Sequence, residues 1–223
     1  MPADPTALAS PVDDDAAPGP HMPDAGAHSD RHVGWMLIGG GGLGLAGAAV
    51  LLVEKIALLR DPSYVPSCSI NPILSCGSVM SAPQAEAFGI PNPIIGVAGF
   101  AAAVTAGCAV LATSGQLARW FWFSAQTAVT LGVGFVHWLV FQSLYRIGAL
   151  CPYCMVVWAV TIPLFVAITT RNLRAIHHRL STAPAAVAGF AAAYSTVIVT
   201  AWFLAIAALI AERFWSYWIT LLP

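Results

Sequence analysis

Charged residues are scarce in this chain: Asp, Glu, Lys and Arg make up 9% of its 223 residues, while 58% are hydrophobic. Soluble domains have about 25% charged residues, so this composition excludes an ordinary soluble protein and predicts an integral membrane protein. The net charge is −1 and no basic stretch resembles a binding patch, which argues against a nucleic-acid partner. We also expect no signal peptide, because no basic segment leads directly into a short apolar core.

Long apolar segments predict five membrane spans. Residues 1–32 differ from the rest, since they are rich in Pro, Ala, Asp and His and have no periodic apolar pattern. We expect this segment to be a disordered cytoplasmic tail. A helix needs roughly 20 mainly apolar residues to cross a bilayer. The segments that meet this requirement are Val33–Leu59, Pro93–Thr113, Trp120–Tyr145, Tyr153–Thr170 and Val187–Ala211.

The span count fixes one feature of the topology. Two spans separate the long loop Arg60–Asn92 from the start of the fourth span, so the two lie on the same side of the membrane. Arg171, Arg174 and Arg179 cluster in the next linker, which favours a cytoplasmic position for it. We therefore expect a cytoplasmic N-terminus and an extracytoplasmic loop.

Cysteine is rare but clustered, with four of the five cysteines on that side. Cys151-Pro-Tyr-Cys154 opens the fourth span, and its C-x-x-C spacing is typical of an exchangeable disulfide. The start of a helix also favours a thiolate on Cys151. Cys68 and Cys76 lie in the loop, in a compartment that permits disulfides. Cys108, inside the second span, is expected to be an inert apolar side chain.

Two other interpretations of the four cysteines stay open. A zinc site needs four ligands, but seven residues between Cys68 and Cys76 are more than the usual spacing, so we expect no metal. Two purely structural disulfides are the second alternative, although they leave the C-x-x-C spacing without a purpose. Ser81-Ala82-Pro83-Gln84 further predicts a capping box and a short helix over Ala82–Phe88, a lid that brings Cys76 near Cys151.

Taken together, these positions resemble the vitamin K epoxide reductase (VKOR) family, in a bacterial form. The matching pattern runs from Cys68 and Cys76 through Ser81 and Asn92 to the C-x-x-C pair, and it covers Val33–Thr170. The resemblance implies an all-α polytopic membrane protein with a four-helix bundle around a quinone and a fifth transmembrane helix. The division it implies is 1–32 tail, 33–170 catalytic bundle with the extracytoplasmic loop 60–92, and 171–223 cytoplasmic linker with the fifth helix.

The resemblance also implies catalytic roles for the cysteines. Cys68 and Cys76 form a shuttle pair that receives electrons from a protein partner. Cys76 then attacks Cys151 in a Cys151–Cys154 disulfide. Cys154 is freed as a thiolate and meets the quinone, which is of the menaquinone, ubiquinone or vitamin K type.

Three further positions are expected at the quinone site. By resemblance, Asn92 hydrogen-bonds a quinone oxygen and Ser81 lies near the active site. Trp158 stands where vertebrate members have a tyrosine, four residues beyond Cys154 and on the same helix face. An indole has no hydroxyl, which disfavours epoxide reduction and favours quinone reduction. For His137 and Gln142 in the third span, structural and functional roles both stay open.

The predicted function is that of a membrane thiol–disulfide oxidoreductase. We expect it to oxidise an extracytoplasmic thioredoxin-like (DsbA-type) protein and to reduce a membrane quinone, in support of disulfide formation in exported proteins. The sequence ends at Pro223, shortly after the fifth span, so the thioredoxin-like protein is expected to be separate. The predicted location is a bacterial cytoplasmic membrane. Alternatives are vitamin K epoxide reduction and a non-catalytic membrane protein with structural disulfides.

Overall fold

The chain folds into helices, as its composition predicts. The structure is a computed structural model and describes residues 25–113, 116–176, 186, 189–191 and 193–220. A 3₁₀ turn spans Pro83–Glu86 and a π-helical turn spans Gln142–Ile147. The helices used below are α1 Ala25–Arg60, α2 Cys76–Ser81, α3 Asn92–Ala112, α4 Arg119–Phe141, α5 Pro152–Ile176, α6 Ser195–Arg213 and α7 Trp215–Thr220.

In the part of the chain that the structure describes, five helical segments are long and apolar enough to cross a membrane, which confirms the predicted all-α polytopic membrane protein. They are Ser29–Arg60, Asn92–Ala112, Arg119–Ile147, Pro152–Ile176 and Ser195–Arg213. Their lengths exceed or match the roughly 20 residues that a bilayer requires.

Some predicted boundaries were wrong. Helix α1 begins at Ala25 rather than Val33, so residues 25–32, predicted as tail, are helical, while residues 1–24 lie outside the described part. Helix α5 continues to Ile176, six residues past its predicted end, because Arg171 and Asn172 make contacts that favour a continued helix. Helix α6 begins at Ser195, and Arg179 lies outside the described residues.

Helix α1 is at the centre of the bundle. It packs against α3 on one side and α5 on the other, while α5 also packs against α4 and α6. Glycine permits the close approach of α1 and α3: a Cβ on Gly107 would lie 2.8 Å from the backbone oxygen of Gly34. Among the described residues, α3 and α4 make no extensive contact with each other. Apolar side chains of α3 and α4 still meet in one cluster, which includes Val110 and Trp122.

Polar side chains join three helices at the end of the bundle away from the C-x-x-C pair. Arg171 on α5 makes two hydrogen bonds to Asp30 on α1, of 2.7 Å and 3.1 Å, and its guanidinium lies 3.6 Å from the centre of the Trp122 ring on α4. Asn172 donates to the Gln126 side chain at 3.1 Å. We call this the opposite end, and the end with Cys151 the cysteine end.

Candidate active site

A short backbone contact aligns the loop with the start of α5. Leu74 and Leu150 form a parallel bridge in which Leu150 donates to the Ile73 carbonyl at 2.7 Å and Ser75 donates to the Leu150 carbonyl at 2.9 Å. Cys76 follows this bridge as the first residue of α2, and Cys151 follows it immediately before α5. The register of the bridge therefore brings these two cysteines together.

The π-helical turn after α4 sets the path of the chain into this bridge. Gly148 ends the turn with a φ of 71°, a left-handed conformation that glycine adopts without strain, and its N–H donates to the Ser143 carbonyl at 2.9 Å. Arg213, at the end of α6, donates its Nε to the Leu144 carbonyl at 2.8 Å. The fifth span thus supports the segment that leads to Cys151.

Three sulfur atoms form the centre of the site. Cys68 and Cys76 are joined in a disulfide, and the Sγ of Cys151 lies 3.0 Å from the Sγ of Cys76. All three sulfurs lie within 4.8 Å of one another. The cysteines are 5%, 0% and 1% exposed, in chain order, and they pack with Leu51 and Met80. Disulfide-bonded sulfurs are not thiolate ligands, so this arrangement suits thiol–disulfide exchange better than metal binding.

Hydrogen bonds at the start of α5 make the Cys151 thiol more acidic. A hydrogen bond from the Cys154 thiol, aided by the backbone N–H groups of Cys154 and Tyr153, lowers the pKa of the Cys151 thiol, and this outweighs the opposing effect of burial. The thiolate is the nucleophile in disulfide exchange. The geometry therefore favours a reactive Cys151 directly beside the loop disulfide.

Cys154 connects the sulfur cluster to an aromatic wall. It packs against the cysteine cluster and also against a second core that contains Trp158, Leu144 and Leu150. The indole of Trp158 is buried, and its Nε1–H has no hydrogen-bond partner among the described residues. The same is true of the buried Oε1 of Gln142. Unpaired buried polar atoms are costly. A donor and an acceptor of this kind fit a quinone, whose carbonyl accepts and whose reduced hydroxyl donates.

The structure brings the cysteines and Trp158 together, but it gives Asn92 and Ser81 other surroundings. Asn92 starts α3, donates to the Gln84 carbonyl at 2.8 Å and accepts from the Ala87 N–H at 3.1 Å, so its amide holds the loop. One amide hydrogen and one lone pair of its oxygen stay available in addition. Ser81 is exposed at the end of α2.

The predicted capping box does not form. No side chain caps the 3₁₀ turn that stands in place of the predicted helix over Ala82–Phe88. Pro83 and the extended backbone at Ala82 separate this turn from α2 instead. The expected approach of Cys76 to Cys151 is present nevertheless, through the Leu74–Leu150 bridge.

Three further polar residues have defined contacts in the structure. Glu54 and Lys55, at the cysteine end of α1, are both buried and both bind the loop. His137 donates from Nδ1 to the Val133 carbonyl at 2.7 Å and accepts at Nε2 from the Trp202 indole at 2.8 Å. With both ring nitrogens bonded, His137 joins α4 to α6 and has a structural role.

Comparison with known families agrees with this geometry. The model of the vitamin K epoxide reductase family matches residues 35–169, more than half of the chain. The chain belongs to the vitamin K epoxide reductase family. Family membership and the adjacent loop disulfide support a redox function for this VKOR protein, and they identify it as an oxidoreductase. No curated protein matches the chain.

Proposed function

We propose that this VKOR protein passes electrons from an extracytoplasmic thioredoxin-like protein to a membrane quinone, and so generates disulfides for exported proteins. The observation that carries the proposal is the 3.0 Å separation between the sulfur of Cys151 and the disulfide sulfur of Cys76. Thiol–disulfide exchange requires direct approach of the reacting sulfurs. Here that approach occurs inside a site from which water is largely excluded.

The electrons move through two exchange reactions. A donor dithiol reduces the Cys68–Cys76 disulfide and becomes a disulfide itself. Cys76 then attacks Cys151 in a Cys151–Cys154 disulfide and releases Cys154 as a thiolate. Cys68 attacks Cys76 in turn, which restores the loop disulfide and leaves Cys151 and Cys154 reduced. The structure has this last combination, a loop disulfide beside two free thiols.

A bound quinone would supply the oxidising power by taking up two electrons and two protons. Cys154 lies between the sulfur cluster and the wall that contains Trp158, so it is the thiol best placed to face the quinone. The Trp158 N–H is available for a quinone oxygen.

The Cys68–Cys76 disulfide supports a position of the loop outside the cytoplasm. A disulfide persists in an oxidising compartment, whereas cytosolic thiols are kept reduced. Cys68 is 5% exposed and Cys76 is completely buried, so Cys68 is the more accessible sulfur and we expect the donor to attack it. An extracytoplasmic thioredoxin-like protein has the required chemistry, since it presents an exposed reactive thiol.

Purified protein in detergent provides the decisive experiment. Quinone reduction driven by a thiol reductant is followed by absorbance for wild type and for Cys154→Ser, with Cys108→Ser as a matched control, since Cys108 is exposed on α3 away from the other sulfurs. Wild type and the control should turn over, and Cys154→Ser should not. Equal activity of all three would contradict the assignment of Cys154.

The donor is tested separately by trapping. With Cys76→Ser, Cys68 has no intramolecular partner in the loop. A thioredoxin-like protein that lacks its second cysteine and is supplied as a mixed disulfide with glutathione should release glutathione and accumulate as a mixed disulfide with Cys68. Cys68→Ser with Cys76→Ser is the control, because it removes both loop sulfurs. Trapping at Cys154 or Cys108 instead of Cys68 would contradict the proposed entry point.

A further inference from the structure

Two adjacent charged residues are buried at the cysteine end of α1. Glu54 is 7% exposed and Lys55 is 6% exposed. Charges at the edge of a membrane span are costly unless they are paired, and they are frequently functional. Neighbouring residues on a helix point about 100° apart. Glu54 and Lys55 therefore reach different parts of the loop.

Glu54 holds the segment that ends in Cys68. Its Oε1 accepts a hydrogen bond from the Ser67 hydroxyl at 2.6 Å, and its Oε2 accepts one from the Tyr64 hydroxyl at 2.9 Å. Both carboxylate oxygens are thus bonded to residues 64–67, immediately before Cys68. We call residues 61–68 the Cys68 arm.

Lys55 holds the segment that begins with Cys76. Its Nζ donates to the Met80 carbonyl at 2.8 Å and pairs with Glu86 Oε1 at 3.0 Å. Met80 lies in the last turn of α2, and Cys76 is the first residue of that six-residue helix. Because a helix this short moves as a unit, Lys55 fixes Cys76 through α2. We call residues 76–86 the Cys76 arm.

A disulfide joins the two arms in only one redox state. In the proposed relay, on which this inference rests, the Cys68–Cys76 bond opens in every turnover. We propose that Glu54 and Lys55 are positioning residues that hold the two arms independently, Glu54 the Cys68 arm and Lys55 the Cys76 arm. Lys55 thereby keeps Cys76 beside Cys151 while the loop disulfide is open, and Glu54 keeps Cys68 within reach to close it again.

The effective concentration of one thiol for another measures this positioning without quinone or protein donor. The full chain with Cys108→Ala is equilibrated in detergent with glutathione redox buffers, and the oxidised fraction is read by alkylation. Cys151→Ser with Cys154→Ser isolates the Cys68/Cys76 pair. Cys68→Ser with Cys154→Ser isolates the Cys76/Cys151 pair. Since neither measurement needs turnover, its result is independent of whether the proposed function is correct.

The variants should differ in which cysteine pair loses effective concentration. Lys55→Met should lower the effective concentration of both pairs roughly 10-fold, as expected for the loss of hydrogen bonds from a charged group, and Lys55→Arg should restore part of it. Glu54→Gln should lower only the Cys68/Cys76 value. Arg60→Gln is the matched control, because this exposed cation lies further along the same helix, and it should change neither value.

Two results would overturn the proposal. One is an unchanged Cys76/Cys151 value in Lys55→Met, and the other is an equal decrease of both pairs in Glu54→Gln. If Lys55→Met does not fold, Glu86→Gln removes only the more exposed contact of Lys55 and should lower both values by a smaller factor. Ser67→Ala tests the Glu54 contact in the same way and should lower only the Cys68/Cys76 value.

Discussion

At the opposite end of the bundle, buried polar groups connect helices to one another, whereas at the cysteine end they connect helices to a loop. Asp30 and Arg171 tie α1 to α5, and Arg171 also covers the Trp122 ring on α4. Glu54 and Lys55 lie on the same helix as Asp30, but their partners belong to residues 64–86. Buried ion pairs and hydrogen bonds thus connect helices at one end of the bundle and hold the loop at the other.

This difference separates stability from chemistry. Helix-to-helix contacts at the opposite end fix the bundle and touch no sulfur. Helix-to-loop contacts at the cysteine end hold segments whose disulfide, in the proposed cycle, is made and broken repeatedly. Substitutions at the two ends should therefore affect different measurements.

The largest expected effect is the loss of Cys151. Cys151→Ser removes the sulfur that faces the loop disulfide, so thiol-to-quinone turnover should fall below about one thousandth of wild type, as for the loss of a catalytic nucleophile. The free energy of unfolding should change little, because serine is close in size to cysteine. Substantial remaining turnover would show that electrons bypass Cys151. The turnover rate is measured by following the absorbance of the quinone over time.

A stability effect without a chemical effect is expected at the opposite end. Asp30→Asn leaves Arg171 without its ion pair, which should lower the free energy of unfolding by about 3 kcal/mol. Turnover per folded molecule should stay within about twofold. Denaturant titration and activity of the same sample test both, with Arg31→Gln, an exposed neighbour, as the control. If Asp30→Asn lost as much turnover as Cys151→Ser, the opposite end would also act on the chemistry, which would contradict the proposed separation of the two ends.

A smaller effect is expected from the indole N–H of Trp158. Trp158→Phe keeps an aromatic wall beside Cys154 but removes the unpaired donor, so the KM for quinone should rise roughly 10-fold, the value of one hydrogen bond to a ligand. The exchange between the two cysteine pairs should be unaffected. An unchanged KM would indicate that the Trp158 N–H does not contact the quinone. Steady-state kinetics at varied quinone concentration provide the measurement.

The smallest effect concerns the pH dependence of Cys151. The Cys154 hydrogen bond stabilises the thiolate and lowers the pKa of Cys151, so alkylation of Cys151 should slow only as the pH falls through this lowered value. Cys154→Ala should move the profile to higher pH. Mass spectrometry follows the Cys151 peptide, with Cys68, Cys76 and Cys108 replaced by alanine. A shift to lower pH would contradict the stated role of Cys154.

Much of the membrane architecture follows from the sequence, because apolar length is a local property. The five spans were predicted from residues that each helix contains, and only their ends differed. Helix α5 was predicted too short because Arg171 and Asn172 read as a polar turn, while in the fold they meet Asp30 and Trp122. The capping box at Ser81 was wrong for a related reason, since the local pattern fits but the backbone of Ala82 is extended.

The site was predicted less completely than the spans. The four cysteines were identified from spacing and resemblance, and the proximity of Cys76 to Cys151 is confirmed. The quinone roles of Asn92, Ser81 and Trp158 stay predictions. Glu54 and Lys55 are adjacent opposite charges in the sequence, yet no local pattern identifies which loop atoms they bind.

The sequence by itself determined that the chain spans a membrane, that its loop and C-x-x-C pair share one side, and that its family is that of vitamin K epoxide reductase. These properties depend on composition, segment length and residue spacing. Only the tertiary structure decided which sulfurs meet and what holds them, because the Leu74–Leu150 bridge and the Glu54 and Lys55 contacts join segments far apart in the chain. Distances between such segments depend on how the whole bundle packs.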